Sequence, residues 1–313
     1  MIRLKNINKD SIRVILTDSG LGGLSICAAL EKTILTHKIF KKAELIFFNS
    51  LADKECGYNK LESHKKKVEV FNNALNGMKK LYNPNLIMIA CNTLSVIFPF
   101  TEFARNSDSS VVGIVDFGVD MILKKLTDNP KSLCLLFGTP TTINSNVHAE
   151  KLITAGIEKE RILSQPCRFL ESEIQENSQS TNVRQLIYKY TQKIISRITS
   201  TPTIIFPALC CTHYSYSENL FEDVFAKLFD FNYEIINPNI RMSEYFNQSS
   251  GNKNINSSIT SVKVVSKVEI TEGEKKSIGD KIKFISPNTY QALQNYSYNR
   301  ALFEFNPRPK KFY

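Results

Sequence analysis

The stretch 86–99 reads LIMIACNTLSVIFP and joins two apolar runs through a short polar triplet. The first run, residues 86–90, is typical of a buried strand, and the second is typical of a helix. Cys91, Asn92 and Thr93 lie at the junction, at the carboxyl end of the predicted strand. Open α/β sheets bind their ligands at this end of their strands. The junction is therefore the first candidate for a functional site.

A second stretch repeats this arrangement far downstream. Residues 203–207 predict another strand, which leads to Cys211, Thr212 and His213. Backbone N–H groups and the positive end of a helix stabilise a thiolate at such a junction, so Cys91 and Cys211 are predicted to be paired reactive thiols. His213 is the predicted proton relay, because a neutral imidazole titrates near neutral pH. The alternatives are buried apolar cysteines and a surface or capping histidine.

Strand-like runs alternate with helical patterns, which predicts an α/β fold of βα units with mostly parallel sheets covered on both faces. The other predicted strands span residues 12–17, 45–48, 111–115, 133–137 and 233–236, and a long helix spans 60–82. A second α/β domain is predicted at 99–213, inserted into a first domain made of 1–98 and 214–313. With these bounds the two cysteines meet at a cleft between the domains.

The region 249–286 has a different pattern. Residues 249–258 are polar and low in complexity, which predicts an exposed loop. Residues 259–271 and 281–286 then alternate partially around a charged turn at 272–276. This pattern predicts a peripheral β-hairpin near the C-terminus.

Composition limits the classes of partner. The formal charge is +10, but the lysines are scattered and form no basic stripe with interleaved aromatic residues, so a nucleic-acid partner is not predicted. Seven cysteines without a C-x-x-C pair favour reduced, intracellular thiols. Neither a signal peptide nor a run long enough to cross a membrane is recognised. A cytoplasmic globular protein that does not contact membranes is expected.

The segment 17–23, TDSGLGG, follows the first predicted strand. It lacks both G-x-G-x-x-G and the Walker lysine, and the carboxylate of Asp18 argues against a phosphate cradle. Asp18 is instead predicted to be a base partner for a thiol or a ligand for an ammonium group; a helix cap is the alternative. A zinc site at Cys210, Cys211 and His213 is not expected, because adjacent cysteines lack the usual ligand spacing.

Together these motifs resemble the cofactor-independent aspartate/glutamate racemase family. The resemblance rests on Asp18-Ser19-Gly20 with Gly22-Gly23, on Cys91-Asn92-Thr93, on Cys211-Thr212-His213-Tyr214 and on Gly138-Thr139. It implies two pseudo-symmetric parallel-sheet α/β domains with the active site in the cleft between them. It also implies a homodimer, and an enzyme that uses no pyridoxal phosphate, metal or nucleotide.

The activity implied by the resemblance is racemisation of an acidic amino acid, most closely glutamate, which supplies the D-isomer for peptidoglycan. One cysteine thiolate would remove the α-proton from one face, and the other cysteine would reprotonate the opposite face. Asp18 would assist Cys91, and His213 would assist Cys211. The implied substrate-binding residues are Ser19, Asn92, Thr93, Thr212, Gly57, Tyr58 and Thr139, with Asp116 as support on the histidine side.

Inversion of a stereocentre requires a base and an acid on opposite faces, and two facing thiols meet that requirement. The resulting carbanion needs polar groups that hold the carboxylate and ammonium groups in a closed cleft. The alternative role for Asn92 and Thr93, without contact to a substrate, is ordinary capping of the following helix.

The sequence departs from the family pattern at residues 49–58. A segment ending in Pro-Tyr-Gly holds the substrate carboxylate in the family, whereas this chain has Gly57-Tyr58. Aspartate or another amino acid is therefore the alternative substrate, and a non-catalytic amino-acid-binding or regulatory homologue is the alternative from another class. His148 stands where a tyrosine is common. Cys210 replaces a usual glycine, and it is expected to pack in the core in preference to a vicinal disulfide with Cys211.

Overall fold

The computed structural model describes residues 10–247 and 255–305. The strands are Ser11–Asp18 (β1), Lys42–Asn49 (β2), Leu86–Ile89 (β3), Val111–Gly113 (β4), Leu133–Gly138 (β5), Ile162–Pro166 (β6), Ile205–Cys210 (β7), Ile259–Ser266 (β8) and Ser297–Tyr298 (β9). The helices are Leu24–His37 (α1), His64–Tyr82 (α2), Asn92–Ile97 (α3), Glu102–Asn106 (α4), Ile114–Asp128 (α5), Pro140–Asn144 (α6), Val147–Thr154 (α7), Leu170–Asn177 (α8), Thr181–Ile195 (α9), Glu218–Leu228 (α10), Pro238–Ser243 (α11), Glu272–Ile282 (α12) and Pro287–Gln294 (α13). Short 3-10 turns cover Tyr58–Lys60, Phe98–Phe100, Lys159–Arg161 and Thr212–Ser217.

The larger sheet has the strand order β4-β3-β1-β2-β8-β9, and all its paired strands run parallel. Its central strand β1 is buried on both faces. Val14 and Leu16 pack in the core on one face, and Ile15 packs in the core on the other. A parallel sheet covered on both faces requires continuous apolar strands, which explains the unbroken runs in the sequence. The predicted α/β class with parallel sheets is confirmed.

The smaller sheet has the order β6-β5-β7 and is also parallel. Tyr233 and Ile236 extend it through isolated bridges to β7, so the strand predicted at 233–236 is present only as two bridges. β6 was not predicted. Its residues are mostly half-buried, and its sequence, ILSQP, lacks the apolar run of the other strands.

Two short segments join the sheets differently from the predicted domain bounds. β4 was assigned to the inserted domain, but it pairs with β3 in the larger sheet. Residues 233–236 were assigned to the first domain, but they bridge to β7 in the smaller sheet. The predicted domain bounds lie close to the two cysteines. The chain instead passes to the smaller sheet between β4 and β5, and it leaves that sheet only after residue 236. The domain assignment itself stays a prediction.

The predicted peripheral hairpin is wrong. β8 pairs in parallel with β2 along its full length, inside the larger sheet. The charged segment read as a turn is the first turn of α12. Thr271 accepts a hydrogen bond from the backbone of Glu274, whose carboxylate accepts one from the backbone of Thr271. This capping box starts a helix where a hairpin would need a turn. Most of the predicted polar loop at 249–258 lies outside the described residues.

Glu31 of α1 attaches the C-terminal elements to the larger sheet. It is fully buried and accepts hydrogen bonds from Thr260, Ser286, Asn288 and Thr289. A buried carboxylate is stable only with such compensation. These contacts fix β8 and α13, which flank α12 in the chain, against α1. No helix within residues 10–247 and 255–305 is long and apolar enough to span a bilayer.

Candidate active site

A cavity of about 240 Å³ lies where the carboxyl ends of the two sheets meet. Its walls come from the residues that follow β1, β2, β3, β5 and β7. This volume suits a metabolite of a few carbon atoms, since pockets for drug-sized ligands span about 300–1,000 Å³. The predicted site residues that line it are Asp18, Ser19, Gly57, Tyr58, Cys91, Asn92, Thr93, Thr139, Cys211, Thr212 and His213.

Cys91 lies two residues after the end of β3, at the N-cap of α3, in an extended conformation. Its Sγ is 3.3 Å from the hydroxyl of Ser19. Burial raises the pKa of the Cys91 thiol, and the nearby Asp18 carboxylate raises it further by charge repulsion and by accepting the thiol proton. Cys91 is thus a protonated thiol with a carboxylate placed to take its proton.

Cys211 has the equivalent position after β7, and its Sγ is 3.9 Å from Nδ1 of His213. Burial raises the pKa of this thiol as well, and the carboxylates of Glu171 and Asp18 add to the rise. Burial lowers the pKa of His213, which keeps the imidazole neutral. A neutral imidazole beside a thiol is suited to accept its proton.

Gln175 of α8 fixes the tautomer of His213. The backbone N–H of Leu21 donates to Gln175 Oε1 over 2.9 Å, so that atom is an acceptor. His213 Nε2 is 2.9 Å from the same oxygen and therefore carries the ring proton. The neutral imidazole then leaves Nδ1 unprotonated and directed at Cys211.

Glu274 of α12 in turn fixes the amide of Gln175. Gln175 Nε2 donates to Glu274 Oε1 over 2.7 Å, and Lys54 donates to Glu274 Oε2 over 3.0 Å. Burial alone would raise the pKa of Glu274, but hydrogen bonds from the Thr271 backbone, Lys54 and Gln175 lower it overall. Sequence reasoning missed Gln175 and Glu274, because neither belongs to a motif at a strand end.

Asp18 holds the first motif together, because three donors converge on its carboxylate. The backbone N–H groups of Ser19 and Gly23 lie 2.6 Å from Oδ1 and Oδ2, and the Thr212 hydroxyl lies 2.7 Å from Oδ2. Gly22 has to be glycine at this point, since a Cβ there would lie 2.5 Å from both Thr212 Oγ1 and His213 Nδ1. The motif therefore joins the carboxylate of β1 to the loop that carries Cys211.

His148 orients Asn92. His148 Nε2 is 3.2 Å from Asn92 Oδ1, and burial lowers the pKa of His148 to about 4, so a neutral ring donates this hydrogen bond. The amide nitrogen of Asn92 is then buried without a hydrogen-bond partner among the described residues, as is the hydroxyl of Tyr58. Buried polar groups normally find a partner. Both atoms belong to cavity-lining side chains, which suggests that a ligand satisfies them.

Hydroxyl groups join the two sheets beside the cysteines. Thr93 Oγ1 is 2.8 Å from Thr139 Oγ1, and both lie within hydrogen-bond range of Thr142. Thr139 also caps α6 by accepting from the backbone of Thr142. Part of the hydroxyl capacity of Thr93 and Thr139 is therefore used within the protein.

Asp116 lies outside the cavity wall, and its supporting role stays a prediction. It lies in the first turn of α5, forms an ion pair with Lys151 at 2.9 Å, and its side chain is 67% exposed. It does not line the cavity, because this face of α5 is turned to solvent.

Cys210 is buried and free, as is Cys211, in agreement with the expected packing.

Comparisons with known proteins point to one family. No family model matches the chain. The chain is 26% identical over 213 residues to a glutamate racemase of Syntrophus aciditrophicus, which covers 66% of this chain and 70% of that protein. It is 26% identical over 248 residues to a glutamate racemase of Buchnera aphidicola, which covers 77% of this chain and 88% of that protein.

Solved structures share the fold. Glutamate racemase from Francisella tularensis, in complex with D-glutamate, superposes with a TM-score of 0.62 at 21% identity, over 87% of this chain and 94% of that chain. A glutamate racemase isoform from Bacillus anthracis gives 0.64 at 18% identity, over 93% and 97%. The chain is similar in sequence to glutamate racemases and shares their fold. This similarity agrees with the family resemblance of the three strand-end motifs.

Proposed function

We propose that the protein is a cofactor-independent glutamate racemase that works by a two-cysteine, two-base mechanism. The observation that carries this proposal is that two buried thiols at corresponding strand ends line one cavity, each beside its own proton acceptor. Cys91 has the carboxylate of Asp18, and Cys211 has Nδ1 of His213. Neither thiol is acidic by itself, because burial raises the pKa of both. Each thiol therefore needs its neighbouring proton acceptor to become a thiolate.

The reaction follows from this symmetry. In one direction His213 Nδ1 takes the proton of Cys211, and the resulting thiolate removes the α-proton of the substrate. Cys91 then donates its thiol proton to the opposite face of the carbanion. Cys211 now holds the former α-proton as a thiol, so the cycle closes when His213 loses its extra proton to solvent and the Cys91 thiolate takes one from solvent. In the reverse direction the two thiols exchange roles. The enzyme returns to its original protonation in either direction.

The carbanion gains stability from polar groups of the cavity. Negative charge that develops at Cα spreads into the substrate carboxylate, and donors fixed in advance stabilise it at little reorganisation cost. Asn92 Nδ2 and the Tyr58 hydroxyl are buried donors with free capacity. Lys60 and Arg168 also line the cavity and favour an anionic ligand. These groups support an amino acid with a second carboxylate.

Glutamate is the substrate that the relatives support. The similar curated proteins are named glutamate racemases, and the structures from Francisella tularensis and Escherichia coli were solved with D-glutamate and L-glutamate, respectively. D-glutamate made by this protein would serve peptidoglycan synthesis. A homodimer and a cytoplasmic location stay predictions from the family resemblance.

The test is racemisation in deuterium oxide. Purified protein is incubated with L-glutamate, D-glutamate, L-aspartate or D-aspartate, and the Cα proton signal and the enantiomer ratio are followed by NMR and chiral chromatography. We expect loss of the Cα proton and formation of the opposite enantiomer with glutamate. Turnover of aspartate alone would replace glutamate as the substrate. If the protein binds one of the four amino acids but exchanges the Cα proton of none of them, the non-catalytic alternative is supported.

A further inference from the structure

Glu171, near the start of α8, lines the cavity and has a carboxylate oxygen without a partner. Its Oε1 accepts a hydrogen bond of 2.8 Å from the side-chain amide of Asn59. Asn59 is oriented by the backbone N–H of Thr141, which donates to its Oδ1 over 3.2 Å. Glu171 Oε2 is buried and has no hydrogen-bond partner among the described residues. The carboxylate is thus held in one position with one oxygen free.

Two other carboxylates of the cavity, Asp18 and Glu274, lack this freedom, and a further one, Glu176, is exposed to solvent. Asp18 already accepts three hydrogen bonds from the protein and faces the thiol of Cys91. A carboxylate has about four acceptor positions in all, so Asp18 has little capacity left for a ligand. Glu274 is occupied by Lys54, Gln175 and Thr271. Among the described residues, Glu171 is therefore the cavity-lining carboxylate that has a buried oxygen without a hydrogen-bond partner.

We propose that Glu171 Oε2 binds the α-ammonium group of the substrate and is therefore a substrate-binding and specificity-determining residue. This inference rests on the proposed function for the identity of the ligand. An amino acid places its ammonium group next to Cα, and Glu171 acts electrostatically on Cys211, one of the two groups expected to reach Cα. The sequence offered two roles for Asp18, a base partner for a thiol or an ammonium ligand, and this assignment leaves Asp18 with the first.

Charge balance agrees with this assignment. Burial raises the pKa of Glu171, while Asn59 and Lys60 partly oppose the rise. A bound ammonium group would stabilise the ionised carboxylate in the same way. An ammonium group kept protonated also withdraws electrons from Cα, which makes the α-proton easier to remove. Binding and catalysis thus gain from the same contact.

The experiment compares ligands with and without the ammonium group. The Kd values of D-glutamate and of glutarate, which keeps both carboxylates but lacks the ammonium group, are measured by isothermal titration calorimetry. Wild-type protein should bind D-glutamate about tenfold to a hundredfold more tightly than glutarate, the range expected for a hydrogen bond to a charged group. Glu171→Gln should remove most of this preference, because its amide N–H₂ then faces the ammonium group. Glu173→Gln, on the same helix but outside the cavity, should retain it.

Several results would overturn the inference. Wild-type protein without a preference for D-glutamate would do so, as would Glu171→Gln with the wild-type preference. Glu171→Ala provides a second variant should the glutamine variant melt early in thermal unfolding. Free glutamine is the third ligand to be titrated. If Glu171→Gln raises the Kd of glutamine more than the Kd of D-glutamate, the Glu171 oxygen binds a distal amide nitrogen, and the ammonium assignment is wrong. None of these measurements needs turnover, so a failed exchange experiment with an intact preference would refute the racemase proposal alone.

Discussion

Gln175→Leu should slow the half-reaction that depends on Cys211. The substitution keeps most of the side-chain volume but removes the oxygen that accepts from His213 Nε2–H and from the Leu21 backbone. An unpaired buried donor costs about 1–3 kcal/mol, and the ring can avoid that cost by moving its proton to Nδ1. Protonated Nδ1 cannot accept the thiol proton of Cys211. Because 1.4 kcal/mol corresponds to a factor of ten, proton abstraction by Cys211 should slow by about tenfold to a hundredfold.

The assay is washout of the Cα proton into deuterium oxide, measured separately from each enantiomer at early times. Washout from the enantiomer whose proton faces Cys211 should fall by that factor, and washout from the other should fall much less. Overall racemisation falls equally in both directions, since the equilibrium constant is fixed. A double variant that swaps the two side chains, Gln175→Glu with Glu274→Gln, keeps an acceptor for His213 at position 175 and an amide donor at position 274. This variant should restore washout. Equal slowing of both enantiomers by Gln175→Leu would refute the tautomer argument.

Three further substitutions test packing and charge. Gly22→Ala should abolish exchange while the protein still folds cooperatively, because its Cβ would lie 2.5 Å from atoms of Thr212 and His213; circular dichroism and washout check both parts. Glu31→Ala should lower the free energy of unfolding by about 3 kcal/mol in urea titration, because it leaves four donor groups without their acceptor, two of them the buried hydroxyls of Ser286 and Thr289. The pKa of His148 is about 4, below its ordinary value of 6.5, so the unfolded chain binds the extra proton between these pH values. Stability should therefore fall by up to about 3 kcal/mol as pH drops from 6.5 to 4, and His148→Gln should reduce that slope.

The buried strands of the sheets and the motifs at their ends could be predicted from the sequence, and the reason is physical. Buried parallel strands need continuous apolar residues, and the carboxyl ends of parallel strands meet at one edge. Asp18 and Cys91 therefore reach the same edge of the larger sheet, whereas Cys211 follows a strand of the smaller sheet and meets them only because the two sheets pack with their carboxyl ends together. The hairpin prediction failed because alternation in 259–266 fits a sheet strand as well as a hairpin, and Thr271 with Glu274 is a capping box.

Side chains from helix faces could not be predicted in this way. Gln175 and Glu274 lie 99 residues apart and meet only because α8 and α12 pack together. Glu171 depends in the same way on Asn59, 112 residues earlier. Asp116 shows the converse case, since its position in a motif-like segment does not determine which face of α5 it occupies, and its side chain is largely exposed. Which face of a helix reaches a cavity is set by tertiary packing.

The central claim is that Cys91 and Cys211 act on opposite faces of one α-carbon. The most direct test is Cα-proton washout in deuterium oxide with Cys91→Ser and Cys211→Ser, each offered L-glutamate and D-glutamate separately. The two-base mechanism predicts that neither variant racemises at the wild-type rate, and that each retains washout from one enantiomer, with opposite preferences in the two variants. The same enantiomer preference in both variants, or unimpaired racemisation in either, would contradict it.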